Sequence, residues 1–299
     1  MAYKNWNLRG CLLPIITPFK DDYSVDKEGL RKLVNYYIED EKVAAIVPCG
    51  TTGESPTLSH EEHTDVIRIV IEETRKRVPV IAGTGSNSTK EAIDLTKQAE
   101  DLGADGTLQV GPYYNRPSQE GFIRHFNEIA KATTLPIIIY NIPFRTGRNI
   151  EPETIIKLSE IDNIIGLKDA SADIRQTTKI LKETRGKDFF VYSGEDDLTF
   201  LMLCMGAKGA IAATGHLLCK EITQMCNLAF ENKLDEALDI HFKYINLMKT
   251  LFVEPNPAPI KAALSWLGLR SGPCRLPLVD LSEKGKEILK RAMEEAGKL

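Results

Sequence analysis

Short apolar runs recur along the chain and alternate with amphipathic stretches. The runs fall at 11–16, 44–47, 78–82, 106–110, 137–140, 164–168, 189–193 and 209–213. They are short, and several are rich in β-branched residues, as in strands buried on both faces. Between them, apolar residues return at helical spacing: Leu30, Leu33, Val34, Tyr37 and Ile38, then Val66, Ile67, Val70 and Ile71. Ala92, Ile93, Leu95, Ala99 and Leu102 mark a third helix, and Phe122, Ile123, Phe126, Ile129 and Ala130 a fourth. Such spacing puts apolar groups on one helical face. The stretches 155–158, 174–181 and 198–205 continue the series.

Eight strands alternating with helices predict a parallel sheet, and the unit count matches a closed (β/α)8 TIM barrel. A doubly wound open sheet is the alternative, but it often carries a Gly-rich turn after its first strand. Here Thr17-Pro18-Phe19 follows the first run. Beyond Gly215 the pattern turns helical, over 217–232, 234–251, 259–267 and 281–296. The break Glu254-Pro255-Asn256-Pro257-Ala258-Pro259 reads as an extended connection, because proline removes a donor and restricts the preceding residue. The expected organisation is a barrel over 1–230 and a C-terminal helical appendage over 231–299.

Composition narrows the function classes. The 299 residues are 42% hydrophobic and 27% charged with a formal net charge of -4, an ordinary globular balance. No dense Lys/Arg cluster suits a phosphate backbone, so nucleic acid is not an expected partner. The first ten residues lack an apolar signal core, and no apolar run is long enough to span a bilayer. A cytoplasmic protein without membrane association is expected. The six cysteines form no C-x-x-C pair and are scattered, which argues against a disulfide framework or a zinc knuckle. They are expected to be small buried hydrophobes, with Cys49, beside a Gly-rich turn, the one to test for reactivity. His60 and His63 lie one helical turn apart without other metal-binding spacing, so no metal is expected.

In a barrel, chemistry gathers where strands end. The run Ile164-Ile165-Gly166-Leu167 ends on Lys168. A lysine held there is partly desolvated, which disfavours the ammonium and yields an amine able to form a Schiff base with a keto group. Taken alone, Lys168 also reads as a lysine that ends a strand and reaches water. After the second run, Gly50-Thr51-Thr52-Gly53-Glu54-Ser55 offers close backbone approach, N–H groups for an anion and two hydroxyls. It equally reads as a capped tight turn. Tyr113-Tyr114 follows the fourth run and suits a subunit interface or a proton carrier. Tyr140 ends the fifth run, one strand before Lys168, with Arg145 beyond it. Adjacent strands lie about 4.8 Å apart, so phenol and amine can meet at one substrate. Arg145 is suited to a bidentate carboxylate contact, and Tyr140 and Arg145 also read as a belt tyrosine and a surface arginine. After the seventh run, the acids Glu195, Asp196 and Asp197 suit a helix start.

Together, Gly50-Thr51-Thr52-Gly53-Glu54, Tyr140-Asn141-Ile142-Pro143 with Arg145-Thr146-Gly147, and Gly166-Leu167-Lys168 resemble the dihydrodipicolinate synthase / N-acetylneuraminate lyase family of Schiff-base aldolases. The resemblance covers essentially the whole chain. The double threonine, the stretch 111–117, Arg145 and Glu254-Pro255-Asn256-Pro257 look like the first-named branch. Neuraminate lyases and keto-deoxy-sugar aldolases usually differ at the second hydroxyl position and lack the arginine. A pyruvate-dependent sugar-acid aldolase is therefore the second choice, and a silent ligand-binding barrel a third.

The resemblance implies a lyase without cofactor that condenses pyruvate with L-aspartate 4-semialdehyde to 4-hydroxy-tetrahydrodipicolinate, in lysine and diaminopimelate biosynthesis. It implies Lys168 as the Schiff-base lysine and Tyr140 as general acid/base. Thr51 and Tyr114 would form a proton relay, Tyr114 reaching a neighbouring subunit of a homotetramer built as a dimer of dimers. Thr52 would hold the pyruvate carboxylate, Arg145 the aldehyde's carboxylate, and Ile211 and Gly194 would line the site. Ser55, His60, His63, Asn87, Glu91 and Tyr113 match a pocket that binds lysine as a feedback inhibitor. The chain departs from the pattern at Glu195, at Gly215-His216, where Ala or Ser then Asn is common, and at Pro56, where a smaller residue is expected.

Overall fold

The computed structural model describes Trp6 and residues 8–299, so part of the polar start lies outside the described residues. Eight parallel strands form one sheet: β1 Gly10–Leu13, β2 Ala45–Ile46, β3 Ile81–Gly83, β4 Gly106–Val110, β5 Ile137–Asn141, β6 Ile164–Asp169, β7 Phe190–Ser193 and β8 Gly209–Ile211. Their order is β2-β1-β8-β7-β6-β5-β4-β3, and a parallel bridge from Ile46 to Val80 closes the ring. The expected barrel is what forms.

The helices are α1 Lys27–Glu39, α2 His60–Thr74, α3 Thr89–Asp101, α4 Gln119–Lys131, the short α5 Pro143–Thr146, α6 Pro152–Leu158, α7 Ile174–Glu183, α8 Thr199–Met205 and α9 Gly215–Phe230. Then come α10 Leu234–Thr250, α11 Ala258–Trp266 and α12 Glu283–Glu295, the expected C-terminal helices. Local chemistry starts many of them. Asp26, Ser59, Ser88, Ser118, Asp173 and Ser282 each accept a first-turn N–H. Such a cap contributes about 1 kcal/mol. Ser59 and Glu62 cap reciprocally.

Side-chain parity sorts two layers. Leu12, Ala45, Ile81, Leu108, Ile138, Tyr140, Tyr192 and Ile211 share the barrel interior, while Ile139, Leu167 and Val191 pack outward against helices. In register, Tyr140 pairs with Lys168 and Lys168 with Tyr192. The two-residue period therefore turns Lys168 inward, on the face of Tyr140. The C-terminal helices do not stand apart from this core. Leu247, Met248, Ile260, Leu264, Leu289 and Met293 belong to the cluster that holds Leu13, Leu30 and Val66.

Candidate active site

Lys168 is 6% exposed at the C-terminal end of β6, and its Nζ lies 4.2 Å from the centre of the Tyr140 ring. Burial draws its pKa down to about 8, while Asp196 and Glu195 work against that fall and Arg145 adds to it. Burial likewise pushes the Tyr140 phenol well up, opposed by the Arg145 charge and a hydrogen bond with Thr51. An amine that sheds its proton more easily than a free lysine thus faces a phenol that keeps its own.

These groups line a cavity of about 640 Å³ with Thr51, Thr52, Arg145, Gly194, Glu195, Asp196 and Ile211 on its walls. The cavity opens at the strand C-termini. Gly194 is a glycine for lack of room: a methyl group there would stand 3.0 Å from Cγ and Cε of Lys168 and 2.9 Å from Cβ of Ala170. The acids after β7 do begin a helical turn, Asp196–Leu198, which runs into α8. Asp196 is buried and accepts the Thr214 N–H at 2.7 Å. Burial raises its pKa to about 6 and that of Glu195 to about 7, the neighbouring acids adding to the second.

The Gly50–Glu54 turn is folded on itself. Gly53 and Glu54 donate N–H bonds to Gly50 and Thr51 at 3.1 Å, and Thr17 Oγ1 donates to the Gly53 carbonyl at 2.7 Å. Gly83 lets the next strand pass beneath it, since a methyl there would meet the Cys49 carbonyl at 2.4 Å. Cys49 itself is a correction. It is buried, its thiol donates to the His63 carbonyl at 3.5 Å, and burial pushes its pKa far up, so it is not a reactive cysteine. Five of the six cysteines are buried, and Cys204 is exposed.

Tyr114 is not brought to the cavity by its own chain: it is 90% exposed, with a left-handed φ of 70°. A second cavity, of about 370 Å³, holds Ser55, Pro56, His60, His63, Glu91 and Tyr113. Asn87 is not part of its lining; its backbone carbonyl accepts from Asn115 Nδ2 at 2.8 Å. His60 Nε2 and Glu91 Oε1 are 2.8 Å apart, and Ser86 donates to the other Glu91 oxygen. Burial holds His63 down to about 4, so it is neutral. Both cavities touch Thr51, Tyr140 and Arg145, which form the wall between them. His216 is structural: Nε2 accepts the Ile16 N–H at 3.1 Å and Nδ1 faces the Ala213 carbonyl at 2.8 Å.

Reading the sequence missed the lining supplied by Phe144, Phe252, Val253 and Asn256. The motif Glu254-Pro255-Asn256-Pro257 was a visible signal, but nothing in its spacing places Asn256 against the turn after β2.

Residues 7–296 match the model of the dihydrodipicolinate synthetase family. The 4-hydroxy-tetrahydrodipicolinate synthase of Geotalea uraniireducens is 47% identical over 289 residues, 97% of this chain and 99% of the relative. The pyruvate complex of a chloride-inhibited dihydrodipicolinate synthase from Acinetobacter baumannii superposes with a TM-score of 0.95 at 43% identity, over 98% of this chain and 100% of that one. A lysine-bound synthase from Cyanidioschyzon merolae gives 0.95 at 42% identity, over 98% and 99%. The chain belongs to the dihydrodipicolinate synthetase family.

Proposed function

We infer that this chain condenses pyruvate with L-aspartate 4-semialdehyde to 4-hydroxy-tetrahydrodipicolinate, the compound for which its curated relatives are named. The observation that carries the chemistry is the buried Lys168 amine against the Tyr140 ring, at the floor of the cavity. Neutral Lys168 attacks the keto carbon, and water leaves as the iminium forms. Tyr140 holds and returns the protons, with Thr51 as its hydrogen-bonded neighbour. The iminium draws electrons, so a methyl proton leaves and an enamine forms. Its carbon bonds to the aldehyde carbon, whose oxygen takes a proton. The product's own amine then displaces Lys168 and closes the ring.

Thr52 and the Thr51-Thr52 backbone hold the pyruvate carboxylate in this reading. Arg145, at the rim, takes the carboxylate of the aldehyde substrate. Arg145 and the second threonine favour this reaction over cleavage of a sugar acid. Tyr114 serves the relay from a neighbouring subunit, within a tetramer of paired dimers. Its exposure and left-handed backbone suit a side chain held out for a partner.

The second cavity takes lysine as an inhibitor in this reading. Glu91 offers a carboxylate to an ammonium, and the shared wall of Thr51, Tyr140 and Arg145 gives occupancy a route to the reacting groups. Among the described residues, no helix is long and apolar enough to cross a membrane.

The test is a coupled assay with pyruvate and the semialdehyde, with pyruvate and borohydride trapping alongside. Turnover and one reduced pyruvate adduct on Lys168 are expected. An unmodified lysine, or turnover with keto-deoxygluconate but not the semialdehyde, overturns the reading.

A further inference from the structure

The turn that carries Thr51 and Thr52 is held from the far end of the chain. Its two flanks, Cys49 and Glu54, are left-handed at φ 57° and 53°. Non-glycine residues keep that conformation only where their surroundings over-determine it. For Glu54 those surroundings are C-terminal. Its carboxylate is 1% exposed and meets Lys261 of α11 at 2.5 Å and the Arg275 N–H at 2.9 Å. Lys261 also donates to the Pro273 carbonyl at 2.8 Å and lies over the Phe19 ring. Arg275 spans Glu62 at 2.6 and 2.7 Å, which ties the same segment to the start of α2.

One contact enters the cavity itself. Buried Asn256 donates its Nδ2–H to Oγ1 of buried Thr52 at 2.9 Å. The Asn256 Oδ1 is buried and finds no partner within the chain. An orphan acceptor of that kind is costly, so the amide is not there to satisfy itself. A hydroxyl has one proton and two lone pairs. With a lone pair occupied by Asn256, the Thr52 proton is left for another acceptor, and Thr52 and Asn256 both line the cavity that holds Lys168.

We propose that Asn256 is a positioning residue that, by donating to Thr52, directs the Thr52 hydroxyl proton to the carboxylate of the keto acid, making the C-terminal segment part of the substrate-binding apparatus. The proposal rests on the function inferred above and deepens its account of pyruvate binding. It concerns affinity for one substrate, so a general loosening of the fold does not imitate it.

The test measures pyruvate dependence of borohydride trapping on Lys168, together with KM for both substrates, in the full-length protein. Asn256→Ala is expected to raise the pyruvate requirement about tenfold, the order of one hydrogen bond to a charged group, with KM for the aldehyde within about twofold. Asn256→Asp is expected to be worse than Asn256→Ala, because a carboxylate accepts the Thr52 proton and repels the anion. Adding Asn256→Ala to Thr52→Val should change little, since the amide acts through the hydroxyl. Multiplying effects in the double variant, or an Asn256→Asp protein with unchanged pyruvate dependence, overturns the proposal. A wild-type protein that captures no pyruvate overturns instead the function reading on which it rests. Wild-type capture with an indistinguishable Asn256→Ala overturns the proposal alone.

Discussion

Gly194→Ala isolates the packing of the reactive lysine from every other change. The added methyl carries no charge or hydrogen bond. It would stand 3.0 Å from Cγ and Cε of Lys168 and 2.9 Å from Cβ of Ala170. Carbon pairs rest at about 3.5–4.0 Å, so the lysine stem must retreat by roughly 0.5–1 Å. Overpacking of this kind costs about 1–3 kcal/mol of stability. The kinetic cost is the larger effect, since a misplacement of about 1 Å in a reacting group costs on the order of a hundredfold. The expected outcome is therefore a folded protein, its urea midpoint lowered, with kcat/KM for pyruvate down about a hundredfold. Coupled turnover gives the rate, and borohydride trapping shows whether the imine step is the one slowed. A Gly194→Ala protein with wild-type rate would refute the claim that this glycine exists to leave room for Lys168.

Four further outcomes rest on the titration of Lys168 and on two carboxylate contacts. With Lys168 near pKa 8, about one amine in ten is neutral at pH 7, against about one in 3,000 at the ordinary 10.5. Imine formation should then rise about tenfold per pH unit up to pH 8 and level off above it; a flat profile from pH 6 to 9 contradicts this. The same shift makes the unfolded chain bind more protons between those two pKa values, so this group's contribution to stability rises with pH across that window. Glu91→Ala should weaken lysine inhibition about tenfold or more, as expected for a charged contact, while the exposed His60–Glu91 pair contributes little to the melting temperature; undiminished inhibition places the inhibitor elsewhere. Lys261→Met strands the Glu54 carboxylate at 1% exposure and should lower unfolding free energy by about 3–5 kcal/mol in urea melts, partly regained by adding Glu54→Gln. A loss below about 1 kcal/mol would mean the pair is dispensable.

The barrel was legible in the chain because each of its units is local. An apolar run of four to six residues makes a strand, a 3.6-residue period makes a helix, and a Ser or Asp starts it; none of this needs a distant partner. Lys168 and Tyr140 were legible for a related reason. Each ends its own run, and strand parity puts both on the inner face once the runs are adjacent. Boundaries were less so: β1 stops at Leu13 and β3 begins at Ile81, because pairing with neighbours, not apolar content, ends a strand.

What the linear order left open was everything set by desolvation and long-range contact. Cys49 stands beside a Gly-rich turn in the chain, yet burial leaves its thiol inert. The lowered pKa of Lys168 comes from the closed barrel around it, which outweighs the acids on the next loop. Asn256 meets Thr52 across 204 positions, and Lys261 meets Glu54 although neither stretch predicts the other. Sequence determined which segments form strands and helices and which residues end them, since those choices are made within a few residues. Tertiary structure decided which groups lose water and which amide meets the Thr52 hydroxyl, since both depend on neighbours brought from the other end of the chain.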